Sequence, residues 1–272
     1  MADIPELLQG LLKFSEYASQ LRASDKFQSS NEVDLCDQSL LYPTTLLPLL
    51  NFIQENKKQA KCIHSQNTIM AQVSSKFQKE EKLELPNEGT YAVKLTRKKE
   101  SIESLDTLYK LRDKECECGG ENTFKLLVGE LVDNIYQHSE FTNAFVMGQK
   151  YQEKRFVELC FFDNGISIPG SYKKQGFEFK DPEAIMQASR GFSTKGEDRG
   201  RGLPYAIGVV TRGLGGEILI ASGKAALYKS PNMRPIGADL TFEFVKEPPF
   251  RGTIISIRIP FSTKVIDYTK FV

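Results

Sequence analysis

The chain contains no tryptophan, two histidines and five cysteines in 272 residues, and its formal net charge is only +1. Each shortage excludes something. Near-neutral charge gives no electrostatic case for bulk nucleic-acid binding. No apolar run reaches the roughly 18 residues that a bilayer-crossing helix requires. The start Met1-Ala-Asp-Ile-Pro lacks the basic residues that open a signal peptide. An odd cysteine count suits a reducing compartment, so a cytoplasmic location is expected. Cys116-Glu-Cys118 looks like a metal pair, but its spacing is a single residue and no second pair lies nearby, which argues against zinc. Internal repeats and low-complexity tracts are absent. With 40% hydrophobic residues, the chain has material for one large or two modest domains.

Three stretches carry chemistry. In the first, Glu121 to Ser139, apolar residues at Phe124, Leu127, Val128, Leu131, Val132 and Ile135 have the spacing of an amphipathic helix. Asn122 or Thr123 would cap it after the Gly119-Gly120 break. Glu130, Asn134 and His138 then share one face, spanning roughly 12 Å at about 1.5 Å per residue. Such a polar stripe is ordinarily just a solvated helix face.

In the second stretch, Arg155-Phe-Val-Glu-Leu-Cys-Phe-Phe162 reads as a strand and stops at the turn Asp163-Asn-Gly165. A carboxylate there can accept a hydrogen bond from the exocyclic amine of adenine; guanine has a carbonyl at that position. Gly165 leaves room for a flat base beside the backbone. The plain alternative is an ordinary Asx turn.

The third stretch is Ser193-Thr-Lys195-Gly-Glu-Asp-Arg199-Gly200-Arg-Gly202-Leu203, ahead of a helix from Leu203 to Arg212. Glycines at a helix start let free N–H groups approach phosphate, with Lys195 or Arg199 balancing charge. It is neither a Walker A loop nor a dinucleotide fingerprint. In this order, the three stretches point to ATP.

They resemble the GHKL-type ATP-binding domain shared by DNA gyrase B, the MutL repair proteins, the ninety-kilodalton heat-shock chaperones and the histidine kinases. Glu130 to Asn134 matches the first box and Asp163-Asn-Gly165-Ile the second. Arg190 to Leu203 matches the third, in the style of sensor kinases. Gly252-Thr253-Ile-Ile-Ser-Ile-Arg-Ile-Pro260 is similar to the closing Gly-Thr strand. Ser167 departs from the pattern, standing where the second box usually has another Gly; a tighter lid hinge is expected from it.

The resemblance implies an α+β fold: a two-layer α/β sandwich of the Bergerat type, with a mixed sheet and helices on one face, over residues 119–265. It also implies roles. Asn134 would bind Mg²⁺, Asp163 would recognise adenine with Gly165 and Thr253 nearby, and Gly200, Gly202 and Leu203 would border the phosphates with Lys195 and Arg199. Glu130, four residues before the Asn as in gyrase-like ATPases and anti-sigma kinases, would activate water. Weakly periodic residues 168–199, with one helical piece at Asp181–Ser189, would be a mobile lid.

The strands Gly216–Ser222, Ala225–Tyr228, Asp239–Phe244 and Thr253–Ile259 complete that domain. Ahead of it, the sequence predicts a helix from Ile4 to Leu21, a strand at Glu32–Asp37, and a helix opening at Pro43 with Pro48 also early in it. Strands at Ala60–His64 and Thr90–Leu95 follow. This rhythm suggests a small N-terminal α/β module over residues 1–95, with some similarity to the STAS modules of anti-sigma antagonists. Residues 96–118, with a helix from Ile102 to Arg112, would link the two.

The histidines narrow the function. A self-contained histidine kinase needs an acceptor His on a helical hairpin, but His138 lies in the expected nucleotide helix and His64 in a strand-like context. Three expectations remain: an ATP-hydrolysing regulatory protein whose lid closure over Mg-ATP controls a protein partner, an anti-sigma-type Ser/Thr protein kinase acting on a separate small protein, and a non-catalytic ATP sensor. A homodimer is compatible with each.

Overall fold

The computed structural model describes residues 4–34, 42–61, 82–97, 104–192, 202–232, 239–244 and 250–271. Its helices are α1 (Glu6–Ala23), α2 (Asp25–Ser29), α3 (Pro43–Glu55), α4 (Asp106–Tyr109), α5 (Glu121–His138), α6 (Ile168–Lys174), α7 (Asp181–Ser189) and α8 (Gly202–Gly208). The strands are β1 (Glu32–Asp34), β2 (Gln59–Lys61), β3 (Lys82–Leu85), β4 (Thr90–Leu95), β5 (Ala144–Tyr151), β6 (Phe156–Asp163), β7 (Glu217–Ser222), β8 (Ala225–Lys229), β9 (Leu240–Glu243) and β10 (Thr253–Pro260).

Eight strands form one open sheet in the order β3-β4-β5-β6-β10-β7-β8-β9. Every neighbouring pair in it is antiparallel. The α+β class is therefore observed, but the expected mixed sheet is not. The one parallel pair of strands among the described residues, β1 with β2, stands apart as a two-stranded sheet. Strand pairing also crosses the boundary expected at residue 95, because β4 pairs with β5 along its length.

Within residues 119–265 the helices α5 to α8 keep to one face of the sheet, as expected, but α1 and α3 from the N-terminal region cover the other. Side chains alternate along a strand, so each strand feeds two layers. On β10, Ile255, Ile257 and Ile259 join one core, with α5 and α8, while Ile254 joins a second core with α1 and α3. On β6, Val157, Leu159 and Phe161 face the first core, and Cys160 and Phe162 the second. The molecule has three layers, with the sheet between helices. The cause is legible in β6, whose apolar residues fall on both parities and so need cover on both sides.

Both cores are substantial. Phe124 and Phe161 are fully buried in the first; Phe14, Phe52, Phe145 and Phe162 are fully buried in the second. Burying each such ring contributes roughly 1.5–3 kcal/mol. Within α3, Pro43 occupies the first turn, where its missing N–H costs nothing. Pro48 removes one interior hydrogen bond, yet the helix continues, held by eleven buried residues.

Polar groups tie α3 and α1 to the sheet. Glu158 is fully buried; its Oε1 accepts hydrogen bonds from the Thr44 N–H (3.1 Å) and Thr44 Oγ1 (2.6 Å). Its Oε2 accepts from Arg258 Nε at 2.8 Å, and Arg258 Nη1 reaches Glu6 Oε2 at 2.5 Å.

Helix α5 matches its predicted span but not its predicted cap. Gly120, at φ 97°, is the N-cap, without a side-chain cap bond. Thr123 Oγ1 instead donates to the Ile266 carbonyl. Strands β3 and β5 were not apparent in the sequence pattern. Of the helix expected at Ile102–Arg112, the described part is only the single turn α4. No helix among the described residues is long and apolar enough to cross a membrane.

Candidate functional site

Strand β6 ends at Asp163, which pairs across the sheet with Thr253 of β10 on one side and Ala144 of β5 on the other. Asp163 shares the parity of Phe161 and so points to the α5 layer. It is 3% exposed. The Gly165 N–H donates to its Oδ1 at 2.9 Å, so the Asx turn is present. Burial pushes the carboxyl up to about 7, with the Gly165 and Thr253 backbone hydrogen bonds opposing.

Two glycines allow this packing. A Cβ on Gly165 would lie 1.8 Å from the Ser139 carbonyl oxygen, which accepts a 2.5 Å hydrogen bond from the Ile166 N–H. The turn after β6 is thus pressed against the end of α5. Gly252, at φ 89°, has no room either, since its Cβ would lie 2.0 Å from the Asp163 carbonyl oxygen.

Asp163 and Thr253 lie at one end of a cavity of about 120 Å³ between the sheet, α5 and α6. Helix α5 contributes Leu131, Asn134, Ile135 and His138; α6 contributes Ile168, Ser171 and Tyr172; Leu203 enters from α8. The Ser222 hydroxyl donates to the Gly252 carbonyl (3.0 Å) and accepts from the Ile168 N–H (2.8 Å). Its one hydrogen is then committed, so Thr253 Oγ1, 3.0 Å away, is the donor to it. That leaves the Thr253 oxygen free to accept.

Glu130 lies one turn before Asn134 and does not line the cavity. It is joined to the site by Gly202, whose Cβ would lie 2.7 Å from Glu130 Oε2 and 3.3 Å from Asn134 Nδ2. The Glu130 carboxyl is held above its ordinary value, first by burial and then by the charge of Asp133. Tyr205 packs close by; burial, followed by the Glu130 charge, pushes its phenol up to about 12. Asn134 Nδ2, Ser139 Oγ and Tyr205 Oη are buried without a hydrogen-bond partner among the described residues.

Asn134, Asp163, Leu203 and Thr253 thus line the cavity, and Glu130, Gly165 and Gly202 pack around it. Lys195, Arg199 and Gly200 lie outside the described residues, as does His64. Ser167 has an ordinary φ of −70° and caps α6 by accepting from the Gly170 N–H at 3.1 Å. No positive φ there calls for glycine.

Sequence reasoning missed the opposite wall. Ser139, Ile166, Tyr172, Ala188 and Phe192 line the cavity; Ile166 and Phe192 fall inside the second and third stretches, yet none of the five was given a role at the site. The described part of the expected lid is two packed helices. Helix α7 buries Ala184 and Ile185 and is pinned to the β7–β8 turn by Asp181 Oδ2, which accepts from the Lys224 N–H at 2.6 Å. The helical piece expected at Asp181–Ser189 is α7 itself.

Fold and site together define an α+β protein with a cavity beside the ends of two central strands. Comparison with family models, curated proteins and solved structures gives no match.

Proposed function

We propose that the chain binds ATP with Mg²⁺ in this cavity, hydrolyses it, and uses closure over the nucleotide to control a protein partner. The observation that carries the reading is the buried Asp163 carboxyl at the edge of a largely apolar cavity, with the Glu130–Asn134–Gly202 cluster packed at the adjoining turn of α5. An apolar slot with one buried acceptor suits a flat base bearing an exocyclic amine. Thr253 Oγ1 would add a second acceptor beside it.

The metal fits the donors present. Mg²⁺ takes few protein oxygens, keeps several waters and shares substrate phosphates. Asn134 would supply one oxygen; its amide end has no partner among the described residues, so the carboxamide is free to be turned by a ligand. Among the described residues no cluster of three His, Cys, Asp or Glu could form a protein cage, and a phosphate-bridging Mg²⁺ needs none. Bound there, the ion would neutralise phosphate charge. Gly202 would bring backbone close to phosphate, with Gly200, Lys195 and Arg199 as the expected neighbours. Glu130 would take a proton from water, and its raised carboxyl is better suited to that than an ordinary one.

Calorimetric titration with Mg-ATP tests the reading. Asp163→Asn should weaken ATP by at least about tenfold, corresponding to a lost charge-assisted hydrogen bond of roughly 1.5–3 kcal/mol. Asn134→Ala should weaken Mg-ATP far more than metal-free ATP. Wild-type affinity in the Asp163 variant would remove the adenine assignment. Transfer of phosphate to a small protein, instead of release, would move the activity to the kinase class.

A further inference from the structure

Cys116 and Cys118 stand apart from the cavity, in the loop between α4 and α5. Their sulfurs are 3.5 Å apart and both side chains are buried. Extended backbone would hold residues i and i+2 roughly 6–7 Å apart. Here the chain curls. Asp113 Oδ1 accepts from the N–H groups of Glu115 (2.9 Å) and Cys116 (3.0 Å), fixing the turn. Cys118 then takes φ 48°, a left-handed conformation uncommon for a residue with a side chain. The Glu117 N–H donates to the Ser262 carbonyl at 2.9 Å, anchoring the peptide between the two cysteines.

We propose that Cys116 and Cys118 are a reversible dithiol–disulfide pair, oxidised within the chain by a peroxide or a small disulfide. The two roles are unequal. The Cys116 thiol is lowered to about 7, chiefly by the hydrogen bond from Cys118, with Lys150 assisting. Cys118 is raised by its hydrogen bond with Cys116 and by deep burial. Cys116 is therefore the attacking thiolate and Cys118 the resolving thiol.

With hydrogen peroxide, the Cys116 thiolate attacks one oxygen and the O–O bond breaks. The departing hydroxide takes up a proton to become water, leaving a sulfenic acid on Cys116. The Cys118 sulfur, losing its proton, then attacks the Cys116 sulfur and expels hydroxide, which leaves as a second water. Two thiols are oxidised by two electrons and one peroxide is reduced. Closure brings the sulfurs from 3.5 Å to about 2.05 Å and so must reshape the loop. Thiol–disulfide exchange with a small dithiol reverses the step. Asp113 and Lys150 line a neighbouring cleft of about 480 Å³, which neither cysteine lines. The described residues offer no third ligand to make this a metal site.

The test uses the full wild-type chain, reduced, desalted and treated with hydrogen peroxide or glutathione disulfide. It is then denatured in an alkylating agent and digested with trypsin. Cleavage after Lys114 and Lys125 releases both cysteines in one peptide. The expected peptide is unalkylated and lighter by two hydrogens, and dithiothreitol restores two alkylatable thiols. Cys160, fully buried in the other core, stays a free thiol. Two alkylated cysteines after oxidation would overturn the proposal. So would a sulfinic acid on one of them, or a disulfide to Cys36 or Cys62. Cys118→Ser should accumulate a dimedone-reactive sulfenic acid on Cys116, while Cys116→Ser should give none. The reverse order would overturn the assignment of nucleophile.

Discussion

Glu158 and Arg258 are direct partners across β6 and β10, and their side chains form a 2.8 Å ion pair inside the molecule. Arg258 is 5% exposed and sits over the rings of Tyr42 and Phe156 at 4.6 and 4.5 Å. Through Thr44 and Glu6 the pair fastens α3 and α1 to the sheet. Removing one member of such a pair strands the other charge away from water.

Arg258→Met should therefore destabilise the fold by about 3–5 kcal/mol in urea denaturation. Arg258→Lys should recover part of the loss, because it keeps the charge but not the fork. A methionine variant within about 0.5 kcal/mol of wild type, the range of ordinary surface changes, would mean that the pair only replaces apolar packing.

Gly165→Ala should damage the site more than an average loop substitution. The added carbon would lie 1.8 Å from the Ser139 carbonyl oxygen, so the turn and the end of α5 must separate. Loss of nucleotide affinity with only a modest drop in melting temperature is expected. An unchanged affinity would show that the turn can move without disturbing the cavity.

The Asp163 carboxyl gives the site a pH dependence. In the folded chain it holds its proton up to about pH 7, whereas an unfolded Asp loses it near about 3.9. Its contribution to stability is then full below the unfolded value and is lost as pH rises through about 7. The amine of adenine favours the ionised form, so adenosine affinity should rise across the same interval. Adenosine is the better probe because it has no phosphate to titrate. Calorimetry over a pH series would read this, with Asp163→Asn expected to be flat; a flat wild-type profile would remove the ionised-carboxylate contact.

Glu130→Gln separates catalysis from binding. It keeps the shape beside Gly202 and removes the charge. Turnover should fall roughly 10²–10⁴-fold, the usual contribution of a general base. Affinity should hold or tighten, since a carboxylate near phosphate repels it. Turnover at the wild-type rate would exclude the base. A parallel loss of melting temperature, affinity and activity would make Glu130 structural.

Much of the frame was written in short-range pattern. The 3–4 spacing from Phe124 to Ile135 announced α5, and β6, β7, β8 and β10 followed from apolar runs ended by turn residues. Asp163-Asn-Gly165 marked the strand end at which the cavity lies. Local sequence can do this because hydrophobic period and turn chemistry are properties of neighbouring residues.

Partners distant in the chain were decided only by the tertiary structure. Period two says that a strand has a buried face but not what buries it, so the cover of α1 and α3 on the second face was not foreseen. β5 was missed because Gly148 and Gln149 interrupt its apolar run; a Cβ on Gly148 would press on the buried Leu111 side chain at 2.2 Å. Nothing local marks Ser139, Tyr172 and Phe192 as one wall, or Glu158 and Arg258 as a pair one hundred residues apart. Sequence determines which faces must leave water, and packing alone determines which of those faces meet.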